Sequence, residues 1–154
     1  MKLIFEQGNL LNANVEALVN TVNCVGVMGK GIALQFKNAF PENYKKYAYA
    51  CKQGKVQIGK MFVYDISSIF SSQKYIINFP TKTHWRYSSE LRFIETGLED
   101  LAITIQKLKI NSIAIPPLGC GNGGLNWRIV KPLIIDALSR PEFSDLTVLL
   151  YEPK

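Results

Sequence analysis

The glycine-rich stretch Gly119–Gly124, with four glycines in six positions, constrains this chain more than any other feature. It follows a short apolar run, Ile113–Ile115, whose length and β-branching predict a buried strand. A helical pattern begins after Asn126, so the loop joins the carboxyl end of a strand to a helix. In open α/β sheets, phosphorylated ligands bind at such loops, where glycines let backbone N–H groups face a shared concavity. An ordinary glycine-rich connection is the alternative interpretation.

The rest of the chain alternates strands with helices, which predicts an α/β sandwich whose sheet is covered on both faces. The predicted strands are Lys2–Glu6, Ala17–Asn20, Met61–Ile66, Tyr75–Phe79, Ile113–Ile115 and Leu146–Tyr151. Helical spacing of apolar residues predicts helices over 32–40, 41–52, 91–108 and 130–138. We expect Ser88 or Ser89 to cap the third helix and Pro132 to lie in the first turn of the last.

The length of 154 residues predicts one domain over 1–154, and leaves open that it is the N-terminal part of a longer protein. No signal peptide or membrane segment is recognisable. Three widely spaced cysteines, Cys24, Cys51 and Cys120, argue against disulfides or a zinc site and for a reducing, cytoplasmic setting. His84 is the only histidine, so we expect no metal and no cofactor.

The formal net charge is +6, from 18 Lys and Arg against 12 Asp and Glu. A modestly basic domain fits a polyanionic partner or a phosphate-bearing ligand, and it equally fits simple solubility. Charge alone does not choose between these interpretations.

Two further loops follow predicted strands. Asn20–Gly31 has three glycines ahead of a helix, where backbone donors and the helix dipole can meet an anion, and Thr81–Arg86 follows the fourth strand. Two glycine-rich anion loops predict a ligand with two phosphates or an extended nucleotide. Neither loop has the P-loop pattern, and no first-strand βαβ context supports a dinucleotide fingerprint.

Four segments in order resemble the macrodomain pattern: Gly8–Leu10, Ala17–Asn23, Gly29–Ala33 and Pro117–Gly121. The resemblance covers nearly the whole chain. It implies a three-layer α/β/α sandwich with a mixed central sheet that binds ADP-ribose.

Within the macrodomains the chain looks most like the DarG branch, on the segments Val19–Gln35, Tyr75–Trp85 and Ile113–Trp127. That branch is the antitoxin half of a prokaryotic toxin–antitoxin pair. Its DarT toxin attaches ADP-ribose to thymine in single-stranded DNA, and DarG removes it. The resemblance implies the same hydrolysis here, in the cytoplasm, with a DarT-type toxin as partner; we expect a monomer without membrane association.

The chain departs from related patterns at two positions. Terminal ADP-ribose protein glycohydrolases share the lysine after the fourth strand and the Gly-Cys-Gly loop, but they use an aspartate where Gly123 falls. Most macrodomains hold the adenine amine with Asp, where this chain has Asn9. The asparagine carbonyl can also accept a hydrogen bond from an amine.

Lys82 and Asn23 are the predicted catalytic residues. Lys82 matches a lysine of the family and can either stabilise charge on the leaving base or attack the anomeric carbon as a neutral amine. The resemblance places Asn23 against the distal ribose, although asparagine also suits a turn. Cys24 and Cys120 lack a histidine or acid at motif spacing, so we interpret them as small loop residues rather than nucleophiles.

The remaining predicted contacts fall into two sets. ADP-ribose contacts are assigned to Asn9, Leu10, Asn20, Gly29, Lys30, Gly31, Ile32, Thr81, Leu118, Gly119, Cys120, Gly121, Asn122, Gly123, Gly124 and Tyr151. Trp85 and Arg86 are candidate stacking groups for unpaired bases, or packing residues. His84 can be a proton shuttle, a base contact or a surface residue.

Three functions stay open. The first is hydrolysis of the bond between ADP-ribose and thymine in single-stranded DNA. The second is an ADP-ribose reader without turnover, which would not need Lys82 at the distal ribose. The third is hydrolysis of ADP-ribosylated protein or O-acetyl-ADP-ribose.

Overall fold

The computed structural model describes every residue from Met1 to Lys154. The strands are β1 (Lys2–Glu6), β2 (Ala17–Val22), β3 (Phe62–Asp65), β4 (Tyr75–Pro80), β5 (Ser112–Ile115) and β6 (Thr147–Tyr151). The helices are α1 (Gly31–Ala39), α2 (Pro41–Lys52), α3 (Leu91–Leu108) and α4 (Trp127–Leu138), with two 3₁₀ turns at Leu10–Asn12 and Pro141–Phe143. All six predicted strands and four predicted helices are present.

The strands form one sheet in the order β1-β6-β5-β2-β4-β3. Neighbours are parallel except β3, which is the antiparallel edge strand beside β4. The predicted mixed sheet is therefore confirmed. Because β5, β2 and β4 are adjacent and parallel, the loops that follow them meet at one edge of the sheet.

Helices cover both faces of the sheet, so the predicted three-layer sandwich is also confirmed. Side chains of α3 and α4, such as Leu101 and Ile134, pack on one face in a cluster with Val19. On the other face, Phe36 of α1 and Tyr47 of α2 fill two smaller clusters. Full burial of these apolar side chains drives the layering. No helix is both long and apolar enough to cross a lipid bilayer.

Two predictions about helix starts are wrong. The N-cap of α3 is Glu90, without a side-chain cap, because the buried Ser89 hydroxyl instead donates to the Thr81 carbonyl at 2.6 Å. Pro132 lies in the second turn of α4, because Asn126 caps the helix earlier by accepting from the Arg128 N–H at 2.9 Å.

Candidate active site

A cleft of about 530 Å³ lies where the loops after β2, β4 and β5 meet. Most of the predicted site residues line it. These are Asn23, Gly29, Lys30, Gly31, Ile32, Thr81, Lys82, Trp85, Arg86, Gly119, Cys120, Gly121, Asn122 and Gly123. Sequence reasoning missed Thr21, Val22, Val27, Ala33, Tyr87, Ser88 and Pro117, which also line it.

The start of α1 forms one wall of the cleft. Its N-cap, Lys30, is extended and offers no side-chain cap. The N–H groups of Gly31, Ile32 and Ala33 make no hydrogen bond within the protein, and all three residues line the cleft. An uncapped helix N-terminus, with its partial positive charge, is an anion-binding element.

The glycine loop forms the opposite wall. The N–H groups of Gly121, Asn122 and Gly123 are also without partners inside the protein. Backbone bonds close this loop, among them Leu125 N–H to the Gly119 carbonyl at 2.9 Å and Ser89 N–H to the Gly123 carbonyl at 2.9 Å. The side-chain nitrogen of Asn122, Nδ2, lies 3.6 Å from where a Cβ on Gly31 would stand, so the two walls approach each other closely.

The charge of the cleft is positive. Lys30, Lys82 and Arg86 line it, and no aspartate or glutamate does. Burial, and secondarily the nearby Lys30 ammonium, lower the pKa of Lys82 below its usual range. The cleft therefore suits a ligand with more than one negative charge.

Lys82 is held by the end of β4. Thr81 donates its N–H to the Val22 carbonyl at 2.9 Å and accepts from the Ser89 hydroxyl through its own carbonyl. Lys82 makes no ion pair. Its amine is thus available to a ligand in the cleft.

Asn23 lies at the mouth of the loop after β2 and is only 7% exposed. Its side-chain oxygen accepts from Val25 N–H at 3.1 Å and from the Tyr47 hydroxyl at 2.8 Å, and its amide donates to the Val27 carbonyl at 2.8 Å. These bonds fix the shape of the loop from Asn23 to Lys30. The predicted contact between Asn23 and the distal ribose stays a prediction.

The glycine at position 123 is required by its own loop. A Cβ there would stand 2.3 Å from the Gly119 carbonyl oxygen and 2.8 Å from its carbon, both backbone atoms. The carboxylate that a related branch carries at this point therefore cannot be accommodated without reshaping the loop.

Several predicted ligand residues lie outside the cleft. Leu10 and Tyr151 are buried together in the cluster that contains Phe36. Asn9 caps the first 3₁₀ turn by accepting from Leu11 N–H at 3.0 Å. The others that do not line the cleft are Asn20, His84, Leu118 and Gly124.

Asn20 belongs to a buried amide network. It donates to the Asn78 side-chain oxygen at 3.1 Å, and Asn78 exchanges hydrogen bonds with Asn43 of α2. The network links β2, β4 and α2 inside the protein. The Asn20 side-chain oxygen is buried and has no protein partner.

An aromatic and cationic cluster forms the rim beyond Lys82. The Arg86 guanidinium carbon lies 4.7 Å from the centre of the Trp85 ring, and the His84 ring lies 5.2 Å from Trp85 and 5.3 Å from Tyr87. Trp85 is 46% and Tyr87 63% exposed. The His84 Nδ1 accepts from Arg86 N–H at 3.1 Å, which orients the imidazole ring. The run of aromatics from 84 to 87 was the signal that could have identified Tyr87.

The cysteines near the cleft are protonated at neutral pH. Burial raises the pKa of the Cys120 thiol to about 11, and burial with the neighbouring Cys51 raises that of Cys24 to about 11. Thiols with such pKa values are poor nucleophiles. No three His, Cys, Asp or Glu side chains are grouped as a metal site.

Comparison with known proteins identifies the class to which this fold and cleft belong. Residues 19–134 match the model of the Macro domain family. The chain therefore belongs to the Macro domain family. Within it, the chain is of the DarG type, because it is 52% and 57% identical to the macrodomains of Mycobacterium tuberculosis DarG and Thermus aquaticus DarG.

The relatives are bacterial. A DNA ADP-ribosyl glycohydrolase of Thermus aquaticus is 58% identical over 98% of this chain and 41% of its own length. The structure of the macrodomain of Mycobacterium tuberculosis DarG has a TM-score of 0.95 and 52% identity, covering 99% of this chain and 98% of that one. The structure of Thermosipho africanus DarTG in complex with ADP-ribose has a TM-score of 0.90 and 36% identity, covering 99% of this chain and 42% of that one.

The chain spans about two fifths of the length of the curated relatives that it matches, 41% to 42% of each. The activities for which these relatives are named thus belong to longer proteins.

Proposed function

We propose that this macrodomain is an ADP-ribosyl glycohydrolase that removes ADP-ribose from thymine bases of single-stranded DNA. The observation that carries the proposal is a cleft with two opposed sets of unpaired N–H groups and the amine of Lys82 at its edge. The names of the Thermus and Mycobacterium relatives, DNA ADP-ribosyl glycohydrolase, support DNA as the carrier of the ADP-ribose.

The pyrophosphate of ADP-ribose lies between Gly29–Ile32 and Gly119–Gly124. Donors from both walls point at it, and the positive cleft offsets its charge. The side chain of Ile32 packs against the cluster that contains Leu10 and Tyr151, so the adenosine end extends toward these residues and Asn9. The distal ribose then lies near Asn23 and Lys82.

Lys82 acts on the bond between the distal ribose and the base. As an ammonium it stabilises charge on the leaving thymine and gives a proton to the ring nitrogen, while water attacks the anomeric carbon and its released proton returns to the lysine amine. As a neutral amine, Nζ attacks the anomeric carbon, the bond to thymine breaks, and water later releases ADP-ribose from the lysine. The lowered pKa of Lys82 increases the neutral fraction that the second route needs, and it also makes the ammonium a stronger acid, which helps the first route.

The rim of Trp85, Arg86 and Tyr87 favours DNA over protein as the carrier of ADP-ribose. Exposed rings and a guanidinium plane are stacking platforms for unpaired bases. His84 supports the rim through its contacts with Trp85 and Tyr87. A DarT-type toxin would supply the substrate, and we infer that the protein works as a monomer in the cytoplasm of a prokaryotic cell.

The test is single-turnover release of ADP-ribose from a thymine-modified oligonucleotide by wild type, Lys82→Ala and Lys82→Arg. Lys82→Ala should lower the rate at least about 100-fold, the usual minimum for a lost acid, base or nucleophile, and should retain ADP-ribose binding in calorimetry. Lys82→Arg keeps the charge and loses the nucleophile. Because arginine does not give up a proton, partial activity in Lys82→Arg supports charge stabilisation alone, and no activity means that Lys82 acts as a proton donor or as the attacking amine.

Two results would contradict the proposal. If Lys82→Ala releases ADP-ribose at the wild-type rate, Lys82 has no part in the reaction. If the wild type binds ADP-ribose and releases none from modified DNA, the protein is a reader. A parallel assay with ADP-ribosylated protein and O-acetyl-ADP-ribose separates the remaining alternative, in which these substrates would turn over and DNA would not.

A further inference from the structure

The excess of positive over negative charge in this protein comes from one segment. Residues 30 to 60 contain seven lysines and one glutamate, so this segment carries +6, the formal net charge of the whole chain. The other residues contain eleven basic and eleven acidic side chains and are balanced. The seven lysines are Lys30, Lys37, Lys45, Lys46, Lys52, Lys55 and Lys60.

Helix α2 presents much of this charge on one exposed face. Lys45, Lys46, Tyr49 and Lys52 are all exposed and recur every three or four residues, while the opposite face of α2 is buried. Glu42 is the one acidic residue of the helix, and it pairs with Lys45 at 3.1 Å. We call Lys45, Lys46, Tyr49 and Lys52 the α2 basic face.

A tyrosine in the middle of these lysines is unusual for a merely solvated surface. Tyr49 is 64% exposed, and its hydroxyl makes no hydrogen bond within the protein. Its neighbour Lys46 extends over the Tyr64 ring, with Nζ 5.4 Å from the ring centre, and carries the positive surface onto β3. Cations beside an exposed aromatic ring are the combination that binds the backbone and bases of a single strand.

The α2 basic face is connected to the cleft through one loop. The Tyr44 hydroxyl donates to the Gly26 carbonyl at 3.3 Å, and Gly26 lies close against Ala48 of α2. At its other side this loop meets the residue after Lys82, because Cys24 N–H donates to the Thr83 carbonyl at 3.4 Å. Neither the loop of residues 20–30 nor residues 81–89 contains an acidic side chain that would repel a phosphate chain.

We infer that the α2 basic face binds the single-stranded DNA that flanks the modified thymine. Phosphates contact Lys45, Lys46 and Lys52, and a base stacks on Tyr49, while the modified nucleotide reaches Lys82 across the loop at Gly26. The choice of DNA as the polyanion rests on the proposed function. The binding itself needs neither a modified base nor hydrolysis, so it can be measured separately.

The test is fluorescence anisotropy with an unmodified single-stranded oligonucleotide of about 16 nucleotides, the upper range of a single-domain site. The variant Lys45→Gln/Lys46→Gln/Lys52→Gln is compared with Lys2→Gln/Lys107→Gln/Arg140→Gln. The control removes the same charge from exposed positions at the opposite end of the sheet. Wild-type affinity should fall steeply with salt.

Each lost phosphate contact reduces the slope of log K against log salt by about 0.7, so the α2 variant should reduce it by about 2. The control should keep the wild-type slope. Tyr49→Ala should weaken binding about fivefold or more at every salt concentration, since stacking does not release counterions. In the hydrolysis assay, the α2 variant should raise KM for a modified oligonucleotide more than for ADP-ribosylated thymidine.

The inference is overturned if both triple variants lose affinity equally, because net charge would then be the cause. It is also overturned if the α2 variant binds DNA like the wild type. The α2 basic face would then serve another partner, such as an acidic protein. Failure of the proposed function has a different signature: no release from any modified DNA, with salt-dependent oligonucleotide binding still reduced by the α2 variant.

Discussion

Replacing Gly123 with alanine tests whether the glycine loop is built as the structure indicates. The new Cβ would stand 2.3 Å from the Gly119 carbonyl oxygen, well inside any real Cβ contact. Because the obstacle is backbone, no side-chain rotation relieves it. The loop must open, which disturbs the bond from Leu125 N–H to the Gly119 carbonyl and redirects the free N–H groups of Gly121 and Asn122.

Overpacking of this kind lowers the free energy of unfolding by about 1–3 kcal/mol. For a chain of this size, each kcal/mol corresponds to roughly 2–4 °C, so the melting temperature of Gly123→Ala should fall by about 2–12 °C. If ADP-ribose binds only the wild-type loop shape, restoring that shape costs further free energy on binding, and a cost of about 1–3 kcal/mol would weaken the affinity about 5- to 150-fold.

Gly121→Val provides the matched control two positions away. A Cβ at Gly121 meets no heavy atom within 4 Å, and the residue is not in the left-handed region. The melting temperature should therefore stay at the wild-type value. The valine would still occupy space in the cleft beside the proposed pyrophosphate, so ADP-ribose affinity should fall.

Thermal unfolding and calorimetric titration with ADP-ribose separate the two effects. Gly123→Ala should lose both stability and affinity, and Gly121→Val affinity alone. A Gly123→Ala protein with wild-type melting temperature and affinity would refute the steric reasoning. Wild-type affinity in folded Gly121→Val would show that this loop does not hold the pyrophosphate.

Two further predictions concern the pKa of Lys82 and the hydrogen bonds that hold Asn23. Lys30→Gln removes a positive charge that lowers the pKa of Lys82, so the pKa of Lys82 should rise. If the neutral amine attacks, the increase of turnover with pH at saturating substrate should move to higher pH. An unchanged pH profile would contradict attack by the neutral amine. In Tyr47→Phe, the backbone carbonyl of Asn23 loses the hydroxyl that donates to it at 2.7 Å, so the free energy of unfolding should fall by about 1–3 kcal/mol. Tyr44→Phe loses only a 3.3 Å bond to the Gly26 carbonyl and should lower the free energy of unfolding less. Equal melting temperatures for the two tyrosine variants would argue against that role of Tyr47.

Periodicity was sufficient to predict the elements of the fold. Strands such as Tyr75–Pro80 and the long helix Leu91–Leu108 show patterns set by burial, which the sheet and its covering layers reproduce. Helix starts were less predictable. Ser89 has the residue type of an N-cap, but its position beside the Thr81 carbonyl gives its hydroxyl a different partner. Only the tertiary structure shows that competition.

Glycine content predicted the two loops that form the walls of the cleft, because their free N–H groups belong to the backbone and depend little on side-chain direction. Predictions for Asn9, Leu10 and Tyr151 depended on which way a side chain points. Leu10 and Tyr151 point into the core in this structure, and no local pattern distinguishes an adenine contact from a core position there. Tyr47, which holds Asn23, is distant from it in sequence and had no signal.

The amide network explains how the cleft keeps its geometry. Asn20 and Asn78 are register partners on β2 and β4, and their side chains hydrogen-bond to each other. A slip of β4 by one residue would turn Asn78 to the opposite face of the sheet, away from Asn20, and leave Asn43 without its partner inside the protein. The register therefore fixes the last pair, Val22 opposite Pro80, after which the strands lead to Asn23 and Lys82. Because Asn43 belongs to α2, the same network fixes the α2 basic face relative to the lysine proposed to break the bond.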